Sequence, residues 1–119
     1  MKITFPTRFA EIIFALAMAA FGAIHLKYAN GYANGVPSFM PGDGKIWVYI
    51  TGIGFLLAAV AIIINKQKKL ACYLLALMLI IFILTIHLMP AINQGKFDQP
   101  LKDGALAMAA FIIGNNSRN

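Results

Sequence analysis

The sequence contains two histidines, and both close a hydrophobic run inside the same tripeptide, Ile24-His25-Leu26 and Ile86-His87-Leu88. An imidazole at the end of an apolar helix can hydrogen-bond a quinone carbonyl, relay a proton or ligate a haem iron. Two interfacial rings, each satisfied by a backbone carbonyl or water, account for the same pattern. Among ligands, a polar molecule or quinone headgroup is favoured over haem, and the absence of a CxxCH motif excludes covalently attached haem. Lys102 and Asp103 stand beside each other near the start of the last hydrophobic run. A carboxylate in a first helical turn is favoured by the helix dipole, and a neighbouring lysine extends toward water. Alternatively, Asp103 is the partner that orients one of the imidazoles. Trp47, Tyr49, Tyr28 and Tyr32 suit an aromatic belt at a membrane interface, and would equally wall a flat ligand.

Other reactive groups are sparse. Glu11 follows Arg8 by three residues, so the two share a helix face and can pair there. Cys72 is the single cysteine, which forbids an internal disulfide or a CxxC redox pair; it reads as a small packing residue. No nucleophile–base arrangement, phosphate loop or metal-ligand cluster is present, which argues against a self-sufficient hydrolase and against a metal site.

Something must hold the two histidines, Trp47, Tyr49, Lys102 and Asp103 at one level, and composition identifies it. Of 119 residues, 61% are hydrophobic and 12% charged, and mean hydropathy is +0.77. A soluble domain carries about 25% charged residues. Here the apolar residues gather into runs, Phe9 to Leu26, Ile46 to Ile64 and Leu70 to Met89. At 1.5 Å per residue each run spans about 27–30 Å, enough for a hydrocarbon core. A shorter run, Leu101 to Gly114, gives about 21 Å, with Pro100 placed as the first helical residue. The expectation is an all-α, integral membrane, up-and-down four-helix bundle forming one domain, 1–119, with helices over 8–27, 45–64, 70–89 and 100–114. Lys2, Arg8 and Ala17-Met18-Ala19 imitate a signal peptide. Glu11 interrupts its apolar core and the run continues past the apparent cut, so the first helix is expected to be retained.

Net charge is +6, yet the lysines and arginines cap hydrophobic runs instead of forming a stripe, so no nucleic-acid partner is expected. Their distribution sets orientation. Lys2, Arg8, Lys66, Lys68, Lys69 and Arg118 lie on one side; Lys27, Lys45, Lys96 and Lys102 lie on the other with three of the four acids. Both termini are therefore expected in the cytoplasm, with the histidine level near the outer face.

Repeats add little that packing does not explain. The two Ile-His-Leu closures suggest paired helical hairpins, although Ile and Leu abound. Ala15, Ala19 and Ala23, Gly54 and Ala58, and Ala110 and Gly114 form small-residue stripes that permit close helix approach. Tyr28-Ala29-Asn30-Gly31 and Tyr32-Ala33-Asn34-Gly35 repeat in tandem, and their Asn-Gly steps read as turns.

Taken together, several segments resemble the DoxX family of small four-helix membrane proteins. They are Gly35-Val36-Pro37-Ser38-Phe39-Met40-Pro41-Gly42, Trp47-Val48-Tyr49-Ile50-Thr51-Gly52, the helix ends Phe21-Gly22-Ala23-Ile24-His25 and His87 with Pro90, and Leu101-Lys102-Asp103-Gly104-Ala105-Leu106. The resemblance implies a bacterial cytoplasmic membrane and, at most, an accessory subunit of a quinone-linked oxidoreductase. It also implies that His25, His87, Trp47, Lys102 and Asp103 form the site. Lacking paired cysteines, this chain is not expected to oxidise thiosulfate by itself. Two functions follow as expectations. One is a membrane subunit binding a quinone or other small lipophilic ligand through His25, His87, Asp103, Lys102, Trp47 and Tyr49. The other is a non-catalytic assembly or scaffold subunit. The expected partners are the bilayer and a membrane subunit or second copy.

Overall fold

A computed structural model describes residues 5–118; Lys2, counted above for orientation, lies outside them. The described residues are all-α, with no strand. They form α1 (Thr7–Lys27), α2 (Ala29–Ala33), α3 (Gly44–Ile64), α4 (Lys68–Phe82), a π-helical turn (Ile83–His87), α5 (Leu88–Gln94) and α6 (Asp98–Asn115). Six α-helices thus stand where four were expected. Three helical stretches, Thr7–Lys27, Gly44–Ile64 and Lys68–His87, are long and apolar enough to cross a membrane. Helix α6 has eighteen residues, about 27 Å, but Asp98, Lys102 and Asp103 make its first half polar.

The differences from expectation have local causes. Of the two Asn-Gly steps after Tyr28, Asn34-Gly35 turns the chain as expected, with the Gly35 amide on Tyr32 O at 3.0 Å. Asn30-Gly31 does not: Gly31 and Tyr32 donate their amides to Tyr28 O at 3.1 and 3.2 Å, winding α2. Left-handed glycine backbone is confined to Gly42 and Gly95 among the described residues. The third expected helix does not stop at 89. It widens into a π turn and resumes as α5, with Pro90 inside. Proline has no amide to give the preceding turn, and a wider turn is one way a helix absorbs such a fault. Helix α6 begins at Asp98, not Pro100. Proline is tolerated there because first-turn amides have no intrahelical acceptor.

Helix α3 shows how the ends are fixed. Asp43 caps its start, accepting the Lys45 amide at 3.0 Å. At its other end Asn65 takes a left-handed backbone, φ 60°. The Lys66 amide then reaches Ala61 O at 3.1 Å and the Asn65 amide reaches Ile62 O at 3.3 Å, a Schellman closure. The chain reverses over three residues into α4.

Packing is uneven. Helix α1 packs extensively on α3, and α4 on α6, while α3 meets α4 more sparingly. A Cβ on Gly22 would lie 2.8 Å from Gly52 O, and one on Gly114 would lie 2.8 Å from the Tyr73 ring. At Gly22 the α1 and α3 backbones approach closely, whereas at Gly114 the neighbour is a side-chain ring. The buried face of α1 is Glu11, Ala15, Met18 and Gly22, whereas Ala23 is exposed, so the spacing-four alanine stripe is only partly the contact. One core cluster joins all four long segments through Ala15 and Met18, Phe55 and Ile62, Leu75 and Leu79, and Ala107 and Ala110.

Candidate functional site

The ends of α1, α3 and α6 that carry His25, Trp47 and Asp103, with the π turn that carries His87, line an open cavity of about 660 Å³. Its walls include Phe21, His25, Tyr32, Trp47, Phe55, His87, Lys102 and Asp103, with Val36, Pro37 and Met40 of the 34–43 loop across one end. Five of the six side chains expected to gather here therefore do so. Tyr49 does not: it follows Trp47 by two residues on α3 and points outward, 42% exposed, because a helix turns about 200° in two residues.

The two histidines are held differently. His25 Nδ1 lies 2.7 Å from Phe21 O, one turn back on α1. A carbonyl can only accept, so Nδ1 carries a proton, and in the neutral ring Nε2 is the acceptor. The ring stacks on Tyr32 at 4.8 Å and 6°, and is tilted against Phe55 at 5.3 Å. Helix α2, unforeseen in the sequence, is what places Tyr32 there. Tyr28 faces out, with the Lys27 ammonium 5.3 Å from its ring.

His87 belongs to the π turn, and its Nε2 lies 3.1 Å from Asp103 Oδ2. Asp103 is 5% exposed and stands beyond the first turn of α6, where Asp98 already supplies the acid. Pairing with His87, rather than the helix dipole, is thus the contact that accounts for Asp103. This pairing also occupies the His87 nitrogen that a haem iron would require, so bis-histidine haem does not fit the arrangement. Among the described residues no group of three or more His, Cys, Asp or Glu could hold a metal ion.

Two further side chains shape the cavity. The Lys102 ammonium lies 5.2 Å from the centre of the Phe21 ring, a cation–π contact. Trp47 Nε1 donates to Pro41 O at 2.8 Å, tying the 34–43 loop to the start of α3. The cavity is thus aromatic on several sides, with an imidazole acceptor, a histidine–carboxylate pair and an ammonium placed around it.

A separate polar cluster lies at the opposite end. Lys68 Nζ donates to Glu11 Oε1 and Oε2 at 3.0 and 3.1 Å, and Arg8 approaches Glu11 at 3.3 Å. Arg8 also donates to Ile62 O at 2.6 Å and to Ile63 O, the last carbonyls of α3, where a cation is favoured. The Arg8–Glu11 pair was legible from spacing; Lys68, fifty-seven residues away in sequence, was not.

Comparison with known proteins revises one expectation. No curated protein and no solved structure matches the chain. The resemblance to DoxX is overturned, because the family that matches over residues 14–113 is a different one. The segments that suggested DoxX are short, and their small residues are a general device for close helix packing. The accessory oxidoreductase role implied by that resemblance loses its ground with it. Matched across most of its length, the chain belongs to the family described as Domain of unknown function (DUF8561).

Proposed function

We propose that this protein is a multi-pass membrane protein that binds a small amphipathic ligand, of the quinone or quinol type, near the outer interface. In this reading α1, α3, the α4–π–α5 stretch and α6 form a four-helix membrane bundle with both termini cytoplasmic. The three membrane-length stretches and the excess of lysine and arginine on the terminal side support it.

The observation that carries the ligand reading is the cavity of about 660 Å³, within the range of small-molecule sites. It combines aromatic walls with few convergent polar groups. A flat ring slides between Tyr32–His25 and Trp47 surfaces, and a ring hydroxyl donates to His25 Nε2. Lys102 supplies a donor for a carbonyl or ring oxygen. His87, fixed by Asp103, presents a second polar edge. Ionisable groups at membrane depth are costly to keep, and in such proteins they mark ligand or proton sites.

The test is to purify the protein in mild detergent, extract its lipids and identify them by mass spectrometry, alongside His25→Ala and His87→Ala. The expected result is a co-purifying ring-headed lipid that is depleted in the His25→Ala sample. A wild-type protein carrying only bulk phospholipid, in the same proportions as both variants, contradicts the reading.

A further inference from the structure

The seam between α3 and α4 contains a second, apolar cavity of about 320 Å³, lined by Gly54, Leu57, Ala58, Ala61, Leu70, Leu74 and neighbours. Gln67, at its far end, is the one polar side chain among its lining residues. Met78 lines both this groove and the cavity that holds His25 and His87, so the two spaces adjoin. The seam exists because α3 and α4 meet more sparingly than α1 with α3 or α4 with α6. Gly54 illustrates the difference. A Cβ there would meet only Met78 Sδ, at an ordinary 3.5 Å, whereas at Gly22 it would collide with backbone. The groove is thus open space beside the helices and not a tight crossing. Its rim residues Leu57, Leu70 and Leu74 are more than half exposed, on helices of membrane-spanning length. In a bilayer such a surface faces hydrocarbon.

We propose that this groove binds the hydrocarbon tail of the ligand whose ring occupies the cavity, and that the ligand enters sideways from the bilayer between α3 and α4. The proposal rests on the ligand reading above and specifies its chemical class: a lipid with a planar, hydrogen-bonding head and a long prenyl or acyl chain. From Met78 to Leu70 the groove runs about 12 Å along α4, room for a stretch of chain. Ile50 and Ile81, which line the cavity on this side, are also about half exposed, so the opening toward lipid continues past the head of the groove.

The experiment uses two probes, dimethyl naphthoquinone, which has no tail, and a naphthoquinone with a long prenyl tail. Trp47, the single tryptophan, reports binding by quenching of its fluorescence in nanodiscs. Ala61→Phe and Ala71→Phe fill the groove away from the cavity; Val60→Phe, on an exposed position outside the groove, controls for folding and partitioning. The tail comes to the groove from bilayer hydrocarbon and not from water, so packing contacts alone favour it there. A phenyl ring that displaces it is expected to weaken the tailed probe by about threefold to tenfold. The tail-less probe should stay within about twofold of wild type, and Val60→Phe should leave both unchanged. Equal affinity of the tailed probe for wild type and both groove variants, with saturable binding intact, overturns the tail site and leaves the ring site standing. Absence of saturable quenching by either probe in the wild type overturns both.

Discussion

Asp103 and Glu11 are both carboxylates, both 5% exposed, and each is held by a partner that only the fold supplies. For Asp103 that partner is His87 Nε2 at 3.1 Å. A hydrogen bond to a charged group contributes about 1.5–3 kcal/mol, so Asp103→Asn should lower stability by about 1–2 kcal/mol in detergent–denaturant unfolding. Tyr49→Phe, outside the cavity, should stay within about 0.5 kcal/mol of wild type. An Asp103→Asn protein as stable as Tyr49→Phe would show that this hydrogen bond is incidental. For Glu11 the partner is Lys68, itself 7% exposed. Removing one member of a buried pair strands the other charge, a loss of about 3–5 kcal/mol. Glu11→Gln should therefore unfold far more easily than wild type, and Glu11→Gln with Lys68→Met should recover most of the loss. If the double variant is no better than the single, the pair is not what holds this end together. The sequence exposed these acids as candidates because charge is rare in apolar runs. It assigned Glu11 to Arg8 from spacing and left Asp103 between a helix start and a histidine, since tertiary partners leave no trace in local pattern.

Among the elements, hydrophobic length made the long helices legible, to within one or two residues at most ends. Helix α2 and the π turn were not, and both bear on the site: one brings Tyr32 onto His25, the other carries His87. Asn-Gly favours a turn only on average, and a π turn has no composition of its own. Helix contacts were partly legible. Small residues marked close approach correctly at Ala15, Ala110 and Gly114, yet Gly54 lines an open groove and the tightest α1–α3 crossing is Gly22 with Gly52. This distinction predicts opposite outcomes for one chemical change. Gly22→Ala forces a Cβ to 2.8 Å from backbone oxygen and should cost about 1–3 kcal/mol. Gly54→Ala meets only Met78 Sδ at 3.5 Å and should be near neutral or slightly stabilising, as glycine is a poor helix former. Thermal unfolding of the two variants decides it; equal destabilisation would mean that the α3–α4 seam is as tight as the α1–α3 crossing.

For the molecule as a whole, the asymmetry between ends is the dominant feature. One end carries the cavity with its imidazoles, ammonium and aromatic rings; the other carries the Arg8–Glu11–Lys68 cluster and the lysines of the α3–α4 turn. The proposed orientation rests on that charge distribution and is open to direct measurement. In a Cys72→Ala background, Ser38→Cys should react with an impermeant maleimide added to intact cells, and Lys66→Cys only after permeabilisation. The reverse pattern would place the cavity on the cytoplasmic side. The all-helical class and membrane-length helices were legible from composition, whereas the family was not, because short motifs shared by packed membrane helices outweighed any segment particular to this one. What remains central is whether the cavity takes a ligand. Trp47 lines it and is the single tryptophan, so a tailed quinone titrated into the protein in nanodiscs gives the most direct reading. Saturable quenching of Trp47 is predicted for the wild type, with affinity falling about tenfold in His25→Ala as one headgroup hydrogen bond is lost. Quenching that rises linearly without saturation, or that is identical in wild type and His25→Ala, would contradict the account.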